Sequence, residues 1–174
     1  MFFSCGYSST IQGSSSLYTF INSCEAIYTL LRKLSLPISL IKAGNYNLDK
    51  HSIAIELVSW GQLTPVGNNK YRTYYDNIIS TDAQYYPRGF RGYNYFEKYT
   101  NEQIRTVGEF LLYWGKRYEI SLIYNEDMWD ISTRALNGDP GVWTHVSYRP
   151  ASAKSDLHPQ PEIIKMLQTI QNLI

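Results

Sequence analysis

Residues 51–60 read HSIAIELVSW, and this stretch decides the fold. Ile53, Ile55, Leu57 and Ser59 alternate with Ala54, Glu56 and Val58, and apolar residues fill nearly every position. A short apolar run of this kind predicts a strand covered on both faces rather than an edge strand. Glu56 is the anomaly. A carboxylate is costly to bury unpaired, so Glu56 faces a wet cleft, has a cationic partner, or is an ordinary satisfied glutamate.

Two helices lie downstream. Over residues 100–118, Ile104, Val107, Leu111, Trp114 and Tyr118 share one helical face, and Glu102, Arg105 and Glu109 fall off it. Thr100 and Gln103 have the spacing of a capping box at its start. Over 162–174, Ile163, Leu167, Ile170 and Ile174 form a second stripe, with Pro161 in the first turn. Residues 120–123 read as a short strand. Upstream, a Ser- and Thr-rich loop leads into a strand near 17–21, and 26–31 is a second apolar stretch. Pro37 and the turn residues of KAGNYNLD at 42–49 break regular structure between that stretch and residue 51. The long Gly- and Tyr-rich passage 61–95 is expected to wander with little regular structure. Strands alternating with helices give an α/β class.

A chain of 174 residues fits one domain, residues 1–174, and buries enough surface to fold without staples. Charged residues are 18% against 44% hydrophobic, which excludes a disordered segment or a coiled coil. A net charge of +1 argues against nucleic acid as a partner. Cys5 and Cys24 allow at most one disulfide and make no zinc ribbon. The N-terminus lacks a basic region followed by an apolar core, so no signal peptide is expected. No apolar run reaches the ~18–20 residues of a membrane span. The 16 Tyr, 4 Trp and 6 Phe suit a groove for sugars or peptides, and equally an aromatic core and surface.

The chemistry concentrates near the C-terminal end. His145 is followed by Lys154 and Asp156 in an H-x8-K-x-D pattern. Imidazole and carboxylate are suitable zinc ligands, and a nearby ammonium can stabilise a developing oxyanion. Spacing alone is not specific. His158, in LHPQPE, reads as a surface residue at the start of the last helix. Tyr85, Tyr86, Arg88, Arg91 and Tyr93 are candidates for lining a glycan-peptide groove, or exposed loop residues.

The segment GDPGVWTHVSYRPASAKSDLHPQPEIIKML, the strand SIAIEL and the helix opening at YTNEQI together resemble the zinc-dependent N-acetylmuramoyl-L-alanine amidases of the amidase-2 type, related to peptidoglycan recognition proteins. The resemblance covers residues 42–174; residues 1–41 are divergent. It implies a single domain with a mixed central β-sheet flanked by helices and zinc in a groove on one sheet face. It further implies His145 and Asp156 as metal ligands, Glu56 as general base and Lys154 as the cation that supports the transition state. The partner implied is peptidoglycan, cleaved between N-acetylmuramic acid and L-alanine by a monomer made in the cytoplasm and acting on the bacterial cell wall. Such hydrolases are common in phage endolysins. The family's first zinc histidine has no counterpart, because residues 1–19 contain no histidine. Cys5 or His51 is then a substitute ligand, or the chain is a catalytically impaired peptidoglycan-binding relative. A glycosidase is disfavoured, since Glu56 lacks an evident carboxylate partner.

Overall fold

The computed structural model describes residues 3–4, 18–21, 27–29, 54–149 and 157–173; for the strands before Ile55, and for Glu56, it describes the backbone alone. β1 (Phe3–Ser4), β2 (Tyr18–Ile21), β3 (Ile27–Thr29) and β4 (Ala54–Leu57) form a four-stranded sheet in the order β1-β4-β2-β3. β4 runs parallel to β1 and to β2, and β3 is antiparallel to β2. The sheet is therefore mixed, and the SIAIEL strand is an interior one with ladder partners on both sides. It ends at Leu57, three residues before the end of the apolar run, and Val58 and Trp60 are exposed.

Residues 61–95 do not wander. They build β5 (Gln62–Gly67), β6 (Lys70–Arg72), β7 (Ile78–Ser80) and β8 (Ala83–Phe90), and with β9 (Tyr93–Glu97) these make a five-stranded antiparallel sheet in the order β7-β6-β5-β9-β8. The physical reason lies in the turns. Gly67 pairs with Lys70 across Asn68 and Asn69, at φ 52° and 53°. Phe90 pairs with Tyr93 across Arg91 and Gly92, at φ 50° and 87°. Two successive left-handed residues make the tight hairpin loop whose twist matches that of the strands it joins. Asparagine enters that region at modest cost and glycine at none.

The helices follow the sequence periodicity closely. α1 (Asn101–Tyr118) starts at Thr100, whose hydroxyl accepts from Gln103 N while the Gln103 side chain accepts from Thr100 N, the expected capping box. After it come a 3-10 turn η1 (Glu126–Trp129), α2 (Thr133–Asn137), a second 3-10 turn η2 (His145–Ser147) and α3 (Pro161–Ile170). Ile104, Val107, Leu111 and Trp114 of α1 and Ile163, Leu167 and Ile170 of α3 share one core with Ile55 and Leu57 of β4. Each such side chain contributes roughly 1.5–3 kcal/mol of transfer free energy, so the helices hold the interior strand by its apolar face. Tyr118, the last stripe position, is exposed where α1 ends.

Residues 120–123 form no strand. Glu119 turns left-handed at φ 55° and the chain leaves the helix without a neighbouring ladder, so the extended stretch is reduced to a single parallel bridge, Tyr124 to Val142. The architecture is a mixed α/β domain. Among the described residues no helix is long and apolar enough to cross a membrane.

Candidate functional site

His145 opens η2, and local hydrogen bonds fix this short turn in place. Thr144 N donates to Ser147 Oγ at 3.1 Å, and the hydroxyls of Thr144 and Ser147 both donate to Met128 O, at 2.6 and 2.7 Å. These polar groups are buried and satisfied, which anchors η2 to the backbone of η1. Trp143 Nε1 donates to Asp139 O at 2.8 Å and Val142 N to Ile123 O at 3.0 Å, tying down the approach. The His145 ring itself is half-buried.

Arg91 grips the same turn from outside. From the loop between β8 and β9 it donates to Val146 O at 2.8 Å, to Arg149 O at 2.7 Å and to Asp130 Oδ1 at 2.9 Å. Its side chain is only 3% exposed. A guanidinium this buried is tolerable because two of these acceptors are backbone carbonyls and the third carries charge. The Arg91 side chain is thus directed at η2, while Gly92 and Tyr93 beside it are exposed.

Glu56 occupies the β4 position whose register partners are Ser4 on β1 and Phe20 on β2, between the core residues Ile55 and Leu57. The exit from β4 is held by α1, through Gln103 Nε2 donating to Val58 O at 2.9 Å. Trp60 N then donates to Glu97 Oε2 at 2.6 Å, joining this exit to β9. Lys154 and Asp156 lie outside the described residues, as do His51, Cys5 and Cys24. Of the two expected metal ligands only His145 is described, an imidazole on a partly covered turn and a donor type that zinc accepts. Among the described residues no group of three or more His, Cys, Asp or Glu gathers to hold an ion.

His158 is not a surface residue. It is fully buried, stacked on Tyr99 with ring centroids 5.0 Å apart and planes at 17°, and packed on Phe96 at 5.0 Å. Its Nε2 lies 2.9 Å from Glu97 O, a group that only accepts, so Nε2 carries the proton. Nδ1 then accepts from the Tyr86 hydroxyl at 2.7 Å. Burial, aided by the nearby Lys98 charge, lowers the His158 pKa to about 4, although the Glu97 carbonyl and the Glu162 carboxylate pull the other way. The ring is neutral near pH 7. Burial, and then the Glu162 charge, pushes the Tyr86 hydroxyl well above its ordinary range, which keeps it a donor. Glu162 itself is lowered by its own backbone N–H in the first turn of α3 and by Lys98 Nζ at 3.0 Å.

Two residues further on, Gln160 is buried with its amide paired to both backbone groups of Tyr99, accepting at 2.8 Å and donating at 3.1 Å. The half-buried Tyr86 therefore reaches into this buried cluster through its hydroxyl. Tyr85, Arg88 and Tyr93 are exposed, and Tyr85 packs against Tyr95 at 4.9 Å. Arg91, His158 and Gln160 are the residues that sequence reasoning misplaced or passed over. The one local signal for the last two was a pair of prolines, Pro159 and Pro161, stiffening the chain around Gln160. No family model, curated protein or solved structure matches the chain in comparisons with known proteins.

Proposed function

We propose that the chain is a peptidoglycan hydrolase that cleaves the amide between N-acetylmuramic acid and L-alanine, with zinc as cofactor. The observation that carries this reading is the sequence resemblance that joins Glu56 on SIAIEL to the His145, Lys154 and Asp156 pattern. Two structural features support it. Glu56 lies on an interior strand of a mixed sheet braced by helix, and His145 lies on a turn held rigid by buried hydrogen bonds.

In this reading His145 and Asp156 hold the metal, which when bound supplies Lewis acidity that brings the pKa of water down toward about 7. The Glu56 carboxylate takes the proton from the attacking water and later returns it to the leaving amine nitrogen. The Lys154 ammonium stabilises the negative charge that develops on the amide oxygen. The substrate locates the action on the bacterial cell wall, as for a phage or prophage lytic enzyme. A second reading, a wall-binding relative with an impaired metal site, is favoured by the absence of histidine from residues 1–19.

Native mass spectrometry for zinc, combined with release of free L-alanine amino termini from purified peptidoglycan, tests both. Zinc binding with cleavage is the expected result; wall binding without cleavage selects the second reading. Both His145→Ala and Asp156→Ala should abolish zinc retention, and Glu56→Gln should keep zinc while losing cleavage. Unchanged zinc in both ligand variants overturns the metal assignment.

A further inference from the structure

We infer that Asn137–Gly138 is a self-modifying site, where the asparagine cyclises onto its own backbone and becomes isoaspartate when α2 opens. The inference is independent of the amidase reading. These two residues are the chain's one Asn-Gly pair. Both are exposed, at the point where α2 ends and Gly138 turns left-handed as its C-cap, at φ 84° and ψ 24°. Glycine has no Cβ, so its backbone nitrogen offers the preceding side chain an unhindered approach.

The step needs no oxidant and no cofactor. Hydroxide takes the Gly138 N–H proton, and the nitrogen attacks Asn137 Cγ. The new C–N bond closes a five-membered succinimide. The bond from Cγ to Nδ2 breaks, and that nitrogen leaves as ammonia with a proton from water. Water then opens the ring at either carbonyl. Opening at Cγ gives aspartate; opening at the backbone carbonyl gives isoaspartate, in which the main chain runs through Cβ and Cγ.

In the closed helix the cap restrains this reaction. Gly138 N donates to Ala135 O at 3.0 Å and Asp139 N to Arg134 O at 3.0 Å. The proton of the attacking nitrogen is thus engaged, and the helical backbone at Asn137 keeps that nitrogen away from Cγ. α2 is only five residues long, held at its start by Ser132 Oγ accepting from Ala135 N at 3.2 Å. A helix this short has little stability of its own, so it opens without global unfolding. The product cannot close the same cap. An added backbone carbon at position 137 shifts Asp139, whose side chain accepts from Arg134 Nε at 3.1 Å and whose carbonyl accepts from Trp143 Nε1 at 2.8 Å. Conversion thereby loosens the approach to η2.

The experiment ages the full chain at mildly alkaline pH and locates isoaspartate by peptide mapping, with an isoaspartyl methyltransferase as reagent. Isoaspartate is expected at Asn137 ahead of the exposed Asn77 and Asn94, and at no such site in Asn137→Gln. Its formation should be roughly fivefold faster in Ser132→Ala, which removes the N-cap bond of α2. Asn77 and Asn94 should keep their wild-type rates in that variant. No isoaspartate at Asn137 in the native chain overturns the inference, whatever the urea-denatured chain forms. Equal rates in wild type and Ser132→Ala overturn it, and so does a parallel rise at Asn77 and Asn94, because the opening is then global. Hydrogen exchange over residues 138–143 then compares the isoaspartate fraction with Asn137→Asp, which adds the charge without the extra backbone atom. Faster exchange in the isoaspartate fraction is expected; exchange equal to that of Asn137→Asp overturns the loosened approach.

Discussion

His158 shows how a single residue changes character when its partners are distant in sequence. Tyr86, Phe96 and Tyr99 enclose the ring, and none lies within fifty positions of it. In LHPQP the residue has polar neighbours and no periodic pattern, so nothing local marks it as buried. Glu56, by contrast, stood out in sequence because its neighbours form a regular apolar strand that it interrupts. The buried ring also predicts a pH dependence. With a pKa of about 4 in the fold against the ordinary 6.5, His158 is neutral in both folded and unfolded chains at higher pH. Below 6.5 the unfolded chain takes up a proton that the folded one refuses, so stability is full above 6.5 and is lost as pH falls toward 4. Linkage gives a loss of about 3 kcal/mol across that window. Chemical denaturation at pH 7 and pH 4 should show this loss in the wild type and a correspondingly smaller one in His158→Phe. An identical pH slope in the two proteins contradicts the buried neutral ring.

Among elements, helices were more legible than strands. The α1 capping box and apolar stripe are local features separated by three or four residues, so the sequence contains them whole. The hairpins of 61–95 depend on cross-strand partners and on Asn-Asn and Arg-Gly turns, which lack the familiar Asn-Gly or Asp-Gly signature. The length of that passage and its Gly- and Tyr-rich composition read locally as a connection instead. The 120–123 stretch failed for the converse reason: its composition suits a strand and its surroundings offer one bridge. That bridge has a close-packed neighbour in Gly141, at φ 139°. A Cβ at this position would collide with Asn125 Nδ2 and approach Ile123 O to 3.0 Å. Asn125 cannot readily yield, because its Oδ1 accepts from Arg134 Nη2 at 2.8 Å. Gly141→Ala should therefore destabilise by about 2 kcal/mol, from backbone strain and the collision together. A melting midpoint equal to wild type would refute this account of the Gly141 turn.

At the scale of the molecule, one core ties the mixed sheet to the helical part. Trp114 is fully buried at its centre, with Phe110 against it at 5.5 Å. Trp114→Ala removes one of the largest buried side chains among the described residues and should cost about 3–5 kcal/mol, read as a shifted denaturant midpoint with a single transition. A loss below about 1 kcal/mol would mean that the core repacks around the gap. The α/β class was readable because the strand and helix periods differ and each segment keeps its own. The placement of η2 and of His158 against the β8–β9 hairpin was not, since it depends on contacts between residues more than fifty positions apart.

Trp60 offers a practical consequence of the way β4 ends. It is 42% exposed, whereas Trp114 and Trp143 are buried. Its backbone N–H is bonded to the Glu97 carboxylate, so the indole sits where the Glu56 strand meets the hairpin. A water-soluble quencher such as iodide will reach this fluorophore well before it reaches the two interior ones. With the half-buried Trp129 replaced by Phe, the accessible fraction of emission becomes an intrinsic optical gauge of that junction, with no label attached.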